Sequence, residues 1–515
     1  MYSADMFESA ELGHKLDDAA YARHARRVRP DLLDAQYELL ADKTFPVIVL
    51  INGVDGAGKG ETVNLLNEWL DPRHVRSVAF GQPSEHELAR PPMWRFWKAL
   101  PAKGKIGILF GNWYTDPING RVQHRLGRTQ LPGAIERIRR FERLLNDDGA
   151  LVVKLWFHLS KKAMKKRLRE LESNKLTSWR VTKADWENFE RYDQYAKVSE
   201  RVLRETSTGD APWVVIDGSN PNYRAITAAK TLLGAVQGRL AEAKANGLEA
   251  KRSARRQRSG SSEAATSNAP VFETVDTTRI LRDLPFKERL SKAKYETKIV
   301  RAQGTLARLT RTPEMPTHSV IVVFEGNDAA GKGGAIRRVT QALDARQYDV
   351  IPIAAPTDEE RAQPYLWRFW KHVPRHGRIT MFDRSWYGRV LVERVEGFAT
   401  TAAWTRAYAE INDFEEQLTE AGTVVVKVWL AVTKEEQLRR FKEREETNFK
   451  QYKITSDDWR NRKKWDDYIL AGSDMIDRTS TSFAPWHVIE ANDKHLARVR
   501  VIEAITGRME AAFKK

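Results

Sequence analysis

The sequence is written twice, and nothing else in it constrains the fold as much. Lys332 follows Lys59 by 273 positions (332 − 59), and the two WRFWK blocks, Trp94–Lys98 and Trp367–Lys371, keep the same offset. So do Trp113-Tyr114 against Trp386-Tyr387, Lys154 against Lys427, and Pro212-Trp213 against Pro485-Trp486. A long period repeated only twice indicates a duplicated domain; a solenoid would stack several short units. Length agrees, because 515 residues exceed the roughly 250–300 at which a single core stops growing. Two tandem domains are therefore expected, 1–243 and 271–515. The segment 244–270 between them is rich in Ala, Arg and Ser and lacks apolar periodicity. It reads as a flexible basic linker, with a polyanion-binding arm as the alternative.

In the second copy the β-branched runs SVIVVFE, YDVIPI, RITMFD, TVVVKVWLAV and WHVIEA alternate with helical patterns, and Tyr408, Ile411, Glu415 and Leu418 fall at helical spacing. Strands alternating with helices predict an α/β fold whose parallel sheet is covered on both faces. The absence of cysteine excludes disulfides, thiolate nucleophiles and Cys-based metal sites. Apolar runs such as Val47–Ile51 are strand-sized, far short of the ~20 residues that span a bilayer. The first residues lack a basic stretch followed by an apolar one, so a cytoplasmic protein without membrane contact is expected. A formal net charge of +17 attracts polyanions without choosing among them.

Directly after the run ending at Phe324 stands EGNDAAGKGG, and after the one ending at Ile51 stands NGVDGAGKG. Both contain G-x-x-x-x-G-K: Gly326, Gly331 and Lys332 in one copy, Gly53, Gly58 and Lys59 in the other. Glycines let successive backbone N–H groups converge on phosphate oxygens, the following helix adds positive potential, and lysine adds a point charge. Asn327, Ala330, Gly333 and Gly334 complete the expected phosphate cradle. Gly333 and Gly60 replace the Ser or Thr that usually follows the lysine and holds magnesium, so a carboxylate must help. Asp328 within the loop and Asp383, which closes RITMFD and precedes Arg384, are the candidate metal ligands. A turn-forming Asp and a strand-end cap are the structural alternatives.

GNDAAGKGG, WRFWK, FDRSWYGRV and the later WDDY at Trp465–Tyr468 closely resemble the polyphosphate kinase 2 family, and the duplication resembles its two-domain members, the polyphosphate:AMP phosphotransferases. The likeness is close over about residues 280–500 and weaker over about 1–240. It implies two P-loop kinase-like three-layer α/β/α domains, each with a helical lid. It also implies Mg²⁺-dependent, reversible transfer of a phosphoryl group from inorganic polyphosphate to AMP, giving ADP without a covalent enzyme intermediate, in a dimeric protein. By motif match Asp328, Lys332, Asp383 and Arg384 carry over as catalytic positions, and Arg440 and Arg444 as phosphate ligands in the lid segment 436–464. Arg337, Arg338, Lys371 and Arg389 would extend a positive channel for polyphosphate, or form a solvated basic face.

The constant offset exposes a difference between the copies. Asp383 becomes Phe110 and Arg384 becomes Gly111, while Arg337, Arg338, Arg389 and Arg444 become Asn64, Leu65, Asp116 and Leu171. The first copy is therefore expected to be degenerate and the second catalytic. Competing expectations are an ADP or GDP acceptor, an ATP-dependent nucleotide kinase, and a polyanion-binding protein. Against specific nucleic-acid binding, the sequence has no zinc finger, helix-turn-helix or RNP-type aromatic motif.

Overall fold

The computed structural model describes residues 6–258, 279–447, 454 and 456–514. Its β-branched runs form ten strands: β1 Val47–Gly53, β2 Val75–Ala79, β3 Ile106–Phe110, β4 Leu151–His158, β5 Trp213–Asp217, β6 Ser319–Gly326, β7 Tyr348–Pro352, β8 Ile379–Asp383, β9 Thr423–Ala431 and β10 Trp486–Glu490. Two five-stranded sheets result, β2-β3-β1-β4-β5 and β10-β9-β6-β8-β7, all parallel. All five expected strands of the second copy are present.

Apolar runs without alternation are what a sheet buried on both faces requires, and β1 is buried along its whole length. β6 is buried up to its last residue. Each of these central strands has neighbours on both sides. Its carboxyl end therefore opens where the connections diverge, the place at which open α/β sheets bind ligands.

One compact unit comprises residues 1–83, 95–265 and 357–367, and the other 84–94, 266–356 and 368–515. The expected flexible linker does not hold over 244–258, because the helix Pro221–Arg258 runs through it. Its sequence AEAKANGLEAKRSARRQR is dominated by Ala, Glu, Lys and Arg, which favour helix without needing an apolar stripe. The remainder, 259–270, lies outside the described residues.

Beneath the sheet ends both copies bury the same polar network. In the second, Lys427 Nζ donates to Glu415 Oε2 at 2.7 Å, Tyr387 Oη at 2.9 Å and the Thr479 carbonyl at 2.6 Å, while Trp386 Nε1 and Tyr387 Oη donate to Glu415 Oε1 at 3.1 and 2.7 Å. Lys154, Glu142, Tyr114, Trp113 and Thr206 repeat it. Lys427 and Glu415 are fully buried, so every donor and acceptor needs a partner, and that requirement fixes the Trp-Tyr pair. Three helices follow the fourth strand of each sheet: Lys161–Ser173, Lys183–Glu190 and Tyr192–Thr206 in the first unit, Lys434–Glu446, Ser456–Lys463 and Trp465–Thr479 in the second. Among the described residues no helix is long and apolar enough to cross a membrane.

Candidate active site

Where β6 ends, Gly326 adopts φ 131°, and a Cβ there would lie 2.2 Å from the Leu430 carbonyl oxygen, so only glycine lets the loop leave the strand. Gly331, at φ 108°, caps the helix Lys332–Thr340. At this site two residues other than glycine, Ala329 (φ 60°) and Arg384 (φ 65°), also take the left-handed conformation. Backbone strain of this kind persists where surrounding structure enforces it, as at functional sites.

Lys332 Nζ spans the loop, donating to the carbonyls of Gly326 at 2.8 Å and Asn327 at 3.2 Å. Burial lowers its pKa below the ordinary lysine value, against the pull of Asp328, Asp383 and Glu325. Asp328 accepts from Arg384 Nη2 at 3.0 Å and from Asn461 Nδ2 at 2.9 Å. β8 brings Asp383 opposite Phe324 in register, and the Arg384 amide donates to the Phe324 carbonyl at 3.1 Å. The charge of Asp383 acts on Lys332, Glu325 and Arg384 alike, so this acid stands at the cradle.

Gly326, Asn327, Asp328, Ala330, Gly331, Lys332, Gly333 and Gly334 thus lie on one strand–loop–helix turn, with Asp383 and Arg384 beside it. Arg444 lines a cavity of about 220 Å³ along the loop, with Lys494 and Arg498. Arg440, the other expected phosphate ligand of the helix Lys434–Glu446, lines the same cavity. Its buried guanidinium donates to the carbonyls of Ala329 and Ala330, both at 3.0 Å, to Ala491 and Asn492 at 2.6 and 3.1 Å, and to Glu436 at 2.6 Å. All its donors are engaged, so it braces the loop from the cavity wall. None of the four expected channel residues lines the cavity. Arg338 donates to Tyr295 Oη at 3.2 Å, Arg389 pairs with Glu393 at 2.7 Å, and Arg337 and Lys371 are exposed.

Sequence reasoning missed Glu325, the last side chain of β6. It is buried, accepts from Ser385 Oγ at 2.8 Å, and has its pKa raised by burial. Its signal was a carboxylate ending an otherwise apolar run, with Asn52 at the matching position. Among the described residues no group of three His, Cys, Asp or Glu could hold a metal ion. Two carboxylates, Asp328 and Asp383, stand at the loop, and a divalent cation can be held by as few as one or two carboxylates together with substrate phosphates and waters.

The first unit keeps the loop with Lys59 and Asp55 but loses the charges of Glu325, Asp383 and Arg384. Lys59 donates to Gly53 and Val54 carbonyls at 2.6 and 3.1 Å, and Asn188 reaches Asp55 at 2.9 Å. Phe110 ends β3 opposite Ile51, where Asp383 stands opposite Phe324. A neutral Asn52–Asn112 bond of 3.1 Å replaces Glu325 and Ser385. A cavity of about 240 Å³ remains beside Asp55 and Lys59, reaching Gly111, Asn188 and Tyr195, but the Gly58 side of the loop is covered from within. Glu61, at the position of Gly334, gathers Arg224 at 2.5 Å, Arg167 at 3.2 Å and Arg180 at 3.4 Å. Arg224, at the position of Ala497, lies so close over the loop that a Cβ on Gly58 would be 2.0 Å from its Cζ.

A family model described as polyphosphate kinase 2 matches residues 15–244 and 289–515, once for each copy. The chain belongs to the polyphosphate kinase 2 family. Among similar proteins, a polyphosphate:AMP phosphotransferase of Pseudomonas aeruginosa is 53% identical over 510 residues, covering 99% of this chain and 100% of its own. One from Acinetobacter johnsonii is 38% identical, covering 93% and 95% respectively. The crystal structure of a putative polyphosphate kinase 2 from Pseudomonas aeruginosa PA01 superimposes with a TM-score of 0.87 at 51% identity, over 99% of this chain and all of that one. The polyphosphate kinase 2 match thus extends over both copies, including the one whose loop lacks the charged partners.

Proposed function

We propose that the chain transfers a terminal phosphoryl group from inorganic polyphosphate to AMP, giving ADP, and that the second unit does the chemistry. The observation that carries the placement is the meeting of Asp328, Arg384 and Asp383 at the Lys332 loop, against Asp55, Gly111 and Phe110 in the first unit. The choice of donor and acceptor rests on the full-length likeness to polyphosphate:AMP phosphotransferases.

An AMP phosphate oxygen attacks the terminal phosphorus of the polymer, a P–O–P bond breaks, and polyphosphate shorter by one unit leaves. Such transfers are catalysed chiefly by positioning and by neutralising charge on the moving group. The loop amides and Lys332 hold phosphate oxygens, Arg384 faces the same oxygens, and Arg440 keeps the loop in shape. Arg444, Lys494 and Arg498 receive the polymer along the cavity. Asp328 and Asp383 would hold Mg²⁺, which would supply positive charge against the phosphate oxygens. Nucleotide substrates assign the reaction to the cytoplasm. The expectation of a dimer rests on family resemblance; light scattering, giving the mass of two chains or of one, decides it.

The test is incubation with polyphosphate and Mg²⁺ and, separately, AMP, ADP, GMP and GDP, with products separated by chromatography. ADP formed from AMP should dominate. Faster use of ADP or GDP, or of ATP as donor, would overturn the assignment.

A further inference from the structure

The two copies diverge in opposite senses at the helix after the fourth strand. In the second unit the helix Lys434–Glu446, KEEQLRRFKEREE, balances five bases with five acids. The equivalent Lys161–Ser173, KKAMKKRLRELES, carries six bases against two acids. Lys161 pairs with Asp193 at 2.5 Å and Arg167 turns inward to Glu61. The other four, Lys162, Lys165, Lys166 and Arg169, are exposed and line one shallow depression with Glu170 and Ser173. The only acid there, Glu170, reaches Lys166 at 3.8 Å.

Their spacing of three, four and seven puts the four cations on one helix face, along about 10 Å. Like charges at these spacings cost a helix a few tenths of a kcal/mol per pair, a repulsion that a bound polyanion removes. The catalytic copy relieves it otherwise, with Glu435, Leu438, Arg439 and Lys442 at the matching positions and Arg439 tied to Glu436 and Glu443. The first unit has therefore covered the Gly58 side of its loop with its own ion pairs while leaving a cationic strip outside it.

We propose that Lys162, Lys165, Lys166 and Arg169 form a docking surface for inorganic polyphosphate, separate from the reaction cleft, which retains the polymer between turnovers. Lysine ammonium groups suit phosphate as point charges, and the ring beside the strip, half-buried Phe189, already has Lys165 Nζ over its face, 5.9 Å from its centroid. Holding one part of a flexible polymer raises the effective concentration of the rest. Chains too short to reach both sites gain nothing. The inference rests on polyphosphate being the donor.

The experiment uses the full chain with all four cations changed to Gln, and a second variant with all four changed to Glu. Initial rates of ADP formation are compared for long-chain polyphosphate and tripolyphosphate. The long-chain KM should rise about tenfold in the Gln variant and further in the Glu variant, with kcat and the tripolyphosphate KM unchanged. Melting temperature should not fall in the Gln variant, since repulsion is removed. An equal KM rise for both donors, a fall in kcat, or an unchanged long-chain KM would overturn the proposal. So would competition by RNA that Trp179→Ala abolishes, because Trp179 stands exposed on the turn after this helix and would mark a nucleic-acid surface. If no polyphosphate yields ADP, the donor assignment fails; if ADP forms without chain-length dependence, only the docking surface does.

Discussion

Transplanting the Glu61–Arg224 pair into the second unit, as Gly334→Glu with Ala497→Arg, should close the cavity along the catalytic loop. There is room for it: a Cβ at Gly334 meets only the Arg498 guanidinium, at 3.7 Å, an ordinary contact. With Gly334→Glu alone, a carboxylate about 4 Å from one phosphate charge costs about 4 kcal/mol at an effective dielectric of about 20. That corresponds to roughly three orders of magnitude in kcat/KM. In the double variant the carboxylate is neutralised, but the arginine should lie over Gly331 as Arg224 lies over Gly58, excluding phosphate. The loss should stay at about 100-fold or more. Ala497→Arg alone adds a cation and should stay within about threefold of wild type. The assay is ADP formation from polyphosphate and AMP, with melting temperature as the control. A double variant that melts normally and keeps its rate within about fivefold would refute the idea that the cavity is on the phosphate path.

Other substitutions probe the supports of the site. Glu325→Gln should lower kcat about tenfold yet raise melting temperature near neutral pH. The folded pKa of Glu325 lies above its ordinary value, so the buried charge costs stability as pH rises past 4.5; the gain should shrink toward pH 4, and a gain that grew instead would contradict the burial argument. Glu436, held at about 2 by Arg439 and then Arg440, works in the opposite sense. Its contribution is present above the ordinary 4.5 and lost as pH falls toward 2. Because the pair with Arg439 is partly screened, Glu436→Gln should cost about 1 kcal/mol in urea unfolding at pH 7, with the gap narrowing below pH 4.5. Glu415→Gln leaves Lys427 buried without its counter-charge and should cost about 3–5 kcal/mol; Glu142→Gln, in the repeated network, should cost about the same.

What the sequence revealed was local or periodic. The strands stood out because both-faces burial demands unbroken β-branched runs, and the loop because glycine spacing serves backbone geometry at adjacent positions. The loss of Asp383 in the first copy needed only the offset, since Phe110 keeps the same register. The remainder depended on contacts between distant residues. Asn461 meets Asp328 across 133 positions and Arg224 meets Glu61 across 163, and neither pair forms a motif. The offset exposed the exchanges of Gly334 for Glu61 and Ala497 for Arg224, but a glycine and an alanine do not announce a cleft. The charge of Arg440 was visible in the sequence, whereas the carbonyls that take up its donors were not. The segment 244–258 lacked an apolar stripe, yet helix propensity alone sufficed to continue the helix through it.

The division of labour between the copies is tested most directly by one pair of substitutions assayed side by side. Initial rates of ADP formation from polyphosphate and AMP are measured for Asp383→Asn and Lys59→Ala in purified, normally folded protein. Asp383→Asn should lose about three orders of magnitude, and Lys59→Ala should stay within about twofold of wild type. Comparable losses from both would contradict the assignment of chemistry to the second unit.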